Sequence, residues 1–312
     1  MHPQAATKRN RYGAGVIALA LICGMLLPCF SVPVSPATPS KGTDTNEVMK
    51  VTIWAGKNGR GLYEVALLRA ILDRTKEHYP SYQLTVNSDH LGTQRGRQVV
   101  ADGHLANVYV SGLRQDDYIH NKRILLINKP IMNGLLGYRA AVIRQTDTER
   151  YAQSAAQHKL RDLTIGQGNS WNDVGILRHN HFTVNDSGRY ENLFEMLAYG
   201  RFDAIFFGLA EIQQELAASK LQEQLTIAYQ PIIYYPHAMV FQVSGNNPQL
   251  AKRIEEGLQI LSADGSHEQL LEQYFGSTIK RIRDEHTRII VLAHPIPTLI
   301  PELAQPVLAQ QE

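Results

Sequence analysis

Residues 165–173 read IGQGNSWND. A β-branched residue leads into Gly-Gln-Gly, then Asn-Ser, a tryptophan and Asn-Asp. This is the pattern of a strand that ends in a tight turn and opens a helix. A helix N-terminus carries unpaired N–H groups and a partial positive charge, and glycines let a ligand approach the backbone closely. The stretch therefore predicts a grip on an anionic or polar group by the amides of Gly168 to Trp171 and the side chains of Asn169 and Ser170. The plainer alternative is an ordinary helix cap with Asn169 or Ser170 at the N-cap. It is not a dinucleotide fingerprint, because Trp171 stands where the third glycine would be and no Gly-Lys-Ser/Thr follows.

Working outward, the same alternation continues. YAQSAAQHKLRDL before the stretch reads as a helix; HFTVN after it reads as a strand and RYENLFEMLAYGR as a helix. FDAIFFG is a near-continuous apolar run, as in a strand buried on both faces. LAEIQQELAASKLQEQL is helical, and LTIAYQPII and HAMVFQVSG are strands. An earlier set has the same grammar. VMKVTIW is a strand, and the next helix carries Leu62, Val65, Ala66, Leu68 and Leu72 at helical spacing, with charge expected on the other face. YQLTVNSDH, a short helix closed by Asp-Gly, ANVYVSG and GLLGYRAAVIR complete it. Residues 246–276 form two helices broken at Ala-Asp-Gly, and a proline-rich tail follows one short strand. Strands alternating with helices predict an α/β fold with mostly parallel sheets. Two sets predict two lobes, with a site in the cleft between them, beyond the carboxyl ends of the strands.

The chain has 312 residues and a net charge of +2, enough length for two lobes and no basic tract for nucleic acid. Its N-terminus differs in composition. Lys8, Arg9 and Arg11 precede residues 14–30, which carry no charge, and a Pro/Ser/Thr-rich exit follows. This predicts a secretory signal over residues 1–37 and a linker over 38–47. An uncleaved membrane anchor is the alternative. Lipidation is a further one, though Ile22 and Pro28 precede the cysteines where lipoprotein signals prefer a small residue. Both cysteines, Cys23 and Cys29, fall in the signal, so an exported chain has no disulfide and no thiolate site. It keeps 28 basic residues against 29 acidic ones. Neither a cofactor nor a metal is expected.

Four stretches carry a resemblance to a known family. They are RQVVADG running into ANVYVSG, LRDLTIGQGNSWND, FEMLAYGRFDAIFFG and NNPQLAKRIEEGLQILSADGSHEQLLEQYFG. Together they resemble the type II periplasmic solute-binding proteins, the amino-acid-binding branch of transporter components, over roughly residues 48–280 of this chain. The resemblance implies a two-lobed α/β fold with a ligand cleft and a two-strand hinge. One lobe is expected over 48–138 plus 246–284 and the other over 139–245, with 285–312 as a C-terminal extension outside the pattern. It implies a periplasmic monomer that captures a small polar solute, amino-acid-like or another small carboxylate, and delivers it to a membrane permease complex. The runner-up is an extracytoplasmic sensor. A dehydratase-like enzyme on the same fold is third, with Glu64, Glu211 or His237 as its general acid.

The resemblance also places site residues. Gly168, Asn169, Ser170 and Trp171 stand where the family holds a ligand carboxylate. Trp54 ends the first strand, where the family has an aromatic that stacks on ligand; both tryptophans equally suit a core. Ser111 and Gly112 end the third strand, and Arg114 is offered for the family's carboxylate-binding arginine, although neither it nor Lys122 nor Arg123 aligns with it cleanly. Arg97 and Arg139 are further cations, read first as solvated. Where amino-acid binders place an acid for the ligand ammonium, this chain has Gly208, and Glu211 comes one helical turn later. Asp203 matches a mainly structural aspartate. Tyr234, Tyr235 and His237 either line the cleft or simply pack. His179-Asn180-His181 is read as a helix end, and His267-Glu268 lacks the second histidine of a zinc protease.

Overall fold

The computed structural model of the chain describes residues 48–57, 59–88, 93–114, 123–169, 171–296 and 301–309. The expected signal, the linker, both cysteines, Lys122 and Ser170 lie outside the described residues.

The first run of elements is β1 (Met49–Trp54), α1 (Arg60–Arg74), β2 (Tyr82–Asn87), α2 (Thr93–Asp102), β3 (Val108–Gly112) and β4 (Ile124–Leu126). The chain then crosses over into β5 (Tyr138–Arg144), α3 (Thr148–Ala156), β6 (Thr164–Gly168), α4 (Asn172–His179) and β7 (Thr183–Gly188). It continues through α5 (Leu193–Ala198), β8 (Ala204–Gly208), α6 (Ile212–Ala218) and β9 (Leu225–Tyr234). A second crossing returns it as β10 (Met239–Ser244), followed by α7 (Pro248–Ala263), α8 (Ser266–Arg283) and β11 (Ile289–Val291).

Two sheets result. One has the order β2-β1-β3-β10-β4, the other β11-β9-β5-β8-β6-β7. Each holds one reversed strand that arrives from the other lobe. β10 runs antiparallel to β3 and β4, and β5 runs antiparallel to β8 and β9. The architecture is thus α/β with two lobes joined by two crossing segments. The crossings touch: Tyr235 N–H donates to Gly137 O at 3.2 Å, and Tyr138 pairs with Tyr234 across the sheet. Both sheets aim strand ends at this hinge, since Gly112 at the end of β3 faces Met239 and Gly208 at the end of β8 faces Arg139.

The hinge is packed rather than open. Ile131, Met132, Leu135 and Tyr138 are buried in one apolar cluster with Val108 and Phe241 of one sheet and Ile205 and Phe207 of the other. The C-terminal extension is laid over it. β11 adds to the second sheet, parallel to β9. Residues 301–309 then cross the hinge: Tyr234 OH donates to Leu303 O at 2.6 Å, and Leu308 N–H donates to Tyr138 OH at 3.0 Å. Leu303 packs with Leu113, Ala238 and Val240 of the first lobe.

The face of α1 departs from the expected stripe. Leu62 is 50% exposed, while Tyr63, Glu64, Leu67, Leu68, Ile71 and Leu72 are buried. The helix is rotated so that Tyr63 donates its hydroxyl to the buried Ile131 carbonyl and meets His267 Nε2 at 3.1 Å, which carries Glu64 inward.

Candidate functional site

Four element ends meet between the lobes: the start of α1, the end of β3, the start of α4, and the turn from β8 into α6. Arg60, the first residue of α1, forms an ion pair with Glu64 one turn on. The same guanidinium donates through Nε to Glu211 Oε1 at 2.7 Å. Glu211 is the N-cap of α6 in the other lobe, so this pair ties lobe to lobe. A carboxylate is favoured there by the helix N-terminus as well as by Arg60.

A second pair lies alongside. Arg139 of β5 meets Asp173 in the first turn of α4 at 3.1 Å, with both side chains under 10% exposed. Tyr235 donates to Asp173 at 2.5 Å, and the Arg139 guanidinium lies 5.1 Å from the centre of the Tyr235 ring. Gly208 joins the two pairs. A Cβ added there would stand 3.2 Å from Glu211 Oε2 and 3.4 Å from an Arg139 Nη. The second strand end is just as tight. A Cβ on Gly112 would lie 2.8 Å from His237 Nε2 and 3.2 Å from Asn172 Nδ2.

Electrostatics sorts these groups. Burial lifts Glu64 to about 7, with Arg60 opposing and the Glu211 charge adding to the rise. Burial works against the Arg60 charge, but Glu64 and Glu211 outweigh it and hold the guanidinium firmly protonated. Asp173 is held below the usual carboxylate range: burial opposes its charge, and Arg139 and the Tyr235 hydroxyl overcome that. His237 is pushed down to about 4 by burial and then by Arg139. At neutral pH the cleft thus holds two guanidiniums, an ionised Asp173 and a Glu64 near its midpoint. Ser111 Oγ and Arg139 Nε are buried there without a hydrogen-bond partner among the described residues.

The sequence-derived candidates are placed as follows. The amides expected to hold an anion are partly spent: Asn169 N–H donates to Gly188 O at 2.9 Å and Trp171 N–H to Gly168 O at 3.1 Å. The N-cap of α4 is Trp171, without a side-chain cap bond, rather than Asn169 or Ser170. Asp173 already matches the helix's positive end, so a further anion gains little there. The Trp171 indole folds back over Gly168 and sits edge-on to Phe207 at 5.8 Å. Trp54 is half-buried at the end of β1, level with Asn87 and Tyr109 of the neighbouring strands. Arg114 is half-buried two residues beyond β3. Arg139 is not solvated; it is 6% exposed. Arg97 is half-buried and donates to Gly112 O at 2.5 Å. Tyr234 and Tyr235 are fully buried, and only Tyr235 joins the charged cluster. Asp203 accepts from Thr164 N–H at 2.8 Å and from Arg150 at 2.6 Å.

This arrangement decides the fold. The chain has the fold of the type II periplasmic binding proteins. A periplasmic binding protein of an arginine transport system from Legionella pneumophila superposes with a TM-score of 0.52 at 13% identity, over 73% of this chain and 100% of that one. A Salmonella typhimurium periplasmic binding protein described for high arginine specificity gives 0.51 at 14% identity, over 73% and 100%. The VFT2 domain of Bordetella pertussis BvgS, as a double mutant, gives 0.51 at 13%, over 73% and 93%. No protein-family model matches the sequence, and no curated protein matches it significantly. Among the described residues no helix is long and apolar enough to cross a membrane.

Sequence reasoning missed Arg60 and Asp173. Arg60 lay in a turn whose end was not fixed by any cap residue. Asp173 stood inside the quoted stretch, where an acid in the first helical turn is also an ordinary surface preference.

Proposed function

We propose that this chain is an exported periplasmic binding protein that captures a small polar, amino-acid-like solute between its lobes for delivery to a membrane transporter. The observation that carries the reading is the Arg60–Glu211 pair at 2.7 Å, with one opposite charge on each lobe of a cleft. A zwitterion fits such a seam by exchange. Its carboxylate takes Arg60 and its ammonium takes Glu211, so the solute replaces one lobe-to-lobe pair with two. Ser111 Oγ and Arg139 Nε supply further unspent polar atoms beside it. Trp54, Arg114, Asn169 and Trp171, at the rim of the same cleft by sequence position, complete the proposed contacts, with Ser170 and Gly168. Ligand held by both lobes favours the closed state, and that population shift is what a transporter reads.

Thermal-shift screening against L-amino acids, small carboxylates and polyamines tests this. A binding solute stabilises the fold, by about 2.7 kcal/mol at a hundredfold excess over Kd. The expected result is stabilisation by at least one zwitterion, lost in Glu211→Gln. Absence of any shift across the panel would sink the reading. A sensor is the second reading, favoured by the same pair, because the Arg60–Glu211 bond by itself joins the lobes. Small-angle scattering separates the two: a transporter component compacts on binding, and a sensor of this kind is compact beforehand.

A further inference from the structure

A cavity of about 650 Å³ adjoins the hinge and contains none of Arg60, Glu64 and Glu211. Three bodies wall it. Leu113 and Ala238 come from the first lobe. Asn172, Ile176 and His179, spaced along one face of α4, come from the second. Leu292, Pro295, Ile296 and Ala304 come from the C-terminal extension, which lies outside the stretches that resemble solute-binding proteins.

We propose that this cavity is a second binding site, for an uncharged small molecule with a mostly apolar body and one hydrogen-bonding group. Its volume falls in the range that holds drug-sized ligands, roughly 300–1,000 Å³. Among the described residues no Asp, Glu, Lys or Arg lines it. A charged ligand would lose its hydration there with no counter-charge to replace it, whereas an apolar body loses nothing. The lining still offers directed polar groups. His237 Nε2 and Asn172 Nδ2 converge on Gly112, at the seam between the lobes. His237 and His294 are both held below the usual imidazole range, so each presents a neutral ring at pH 7. His294 spends Nδ1 on the Ile296 N–H at 3.0 Å. His237 and Asn172 would orient the ligand's polar group while Ile176, Leu113 and Leu292 cover its body. A molecule seated there touches both lobes and the extension, so it favours their present arrangement over one with the lobes apart. This site meets the ionic cleft at His237 and Asn172 but includes none of Arg60, Glu64 and Glu211, and it goes beyond the proposed solute reading.

Calorimetric titration of the full chain with indole and benzyl alcohol tests it, with benzoate and benzylammonium as charged counterparts. The neutral probes are expected to bind one per chain and the charged ones about tenfold weaker or worse. Ala293→Phe and Ala304→Trp push bulk into the cavity from exposed positions, so the fold tolerates them. Each is expected to weaken indole binding about tenfold with an unchanged circular dichroism spectrum and unfolding midpoint. Any amino-acid stabilisation through the ionic cleft is expected to survive both substitutions. The proposal is overturned by a lack of saturable indole and benzyl alcohol binding, by equal binding of the charged probes, or by full indole affinity in both folded variants.

Discussion

Arg139 and Asp173 form a buried ion pair whose members come from different elements, one from the hinge strand β5 and one from the first turn of α4. Such a pair contributes little net stability, but removing one partner strands the other charge in a site that cannot hydrate it. Arg139→Met is therefore expected to cost about 3–5 kcal/mol in urea unfolding. Adding Asp173→Asn to it is expected to recover a large part of that loss, because the stranded carboxylate is gone. A single substitution costing under about 1 kcal/mol would mean that water reaches Asp173. Glu211→Gln behaves differently, since Arg60 keeps Glu64. It is expected to cost about 2 kcal/mol and to raise the radius of gyration measured by scattering, because only the lobe-to-lobe bond is lost.

At the scale of elements, two devices fix how the pieces sit. Arg253 of α7 is fully buried and donates to Leu72 O and Pro80 O, both at 2.8 Å, and to Thr75 Oγ1 at 2.9 Å. It thereby satisfies Leu72 O in the last turn of α1, where the helix leaves carbonyls without partners of its own, and ties it to Pro80 O in the following loop. Its place was readable in part: Arg253 falls between Leu250 and Gly257 on the buried stripe of α7. The residue type argues for the surface, and only the open end of α1 beside it explains the burial. The other device is the extension over the hinge. Tyr234→Phe removes the donor to Leu303 O and leaves that carbonyl buried, an expected loss of about 1–3 kcal/mol. Limited proteolysis is expected to cut 293–309 faster in this variant, and an unchanged cutting rate would show that the extension is held elsewhere.

For the whole molecule, two buried groups oppose each other over pH. Glu64 rises from 4.5 in the unfolded chain to about 7, so the folded state binds the extra proton between those values, and Glu64 makes stability fall as pH rises through them. His237 drops from 6.5 to about 4, so the unfolded state binds the extra proton there, and His237 makes stability rise with pH between 4 and 6.5. The slopes cancel over roughly pH 4.5–6.5, where the Arg60 and Arg139 guanidiniums and the depressed Asp173 carboxylate keep their charges. Glu64→Gln is expected to show stability that climbs with pH across that window, and His237→Gln stability that declines. Parallel profiles for both variants, measured by urea unfolding at several pH values, would contradict the assignment.

Periodicity and punctuation in the chain were sufficient for most of the elements and their alternation, though not for the three-residue β4. The run AIFFG reads as a buried strand, and Asp-Gly at 264–265 ends one helix before the next. Such features are local, and the α/β class with two lobes follows from their order. The site is a different matter. IGQGNSWND identifies a strand-to-helix turn, but whether its amides are open depends on Gly188, which arrives from β7 and takes the Asn169 N–H. The partners that matter are far apart in the chain: Arg60 and Glu211 are separated by 151 positions, and Tyr235 and Asp173 by 62. A charge written in the sequence has a sign but no neighbour. Only the tertiary structure decided which charges are paired across the lobes, which helix face turns inward, and what the extension covers, because each of those depends on contacts between segments that the local pattern does not relate.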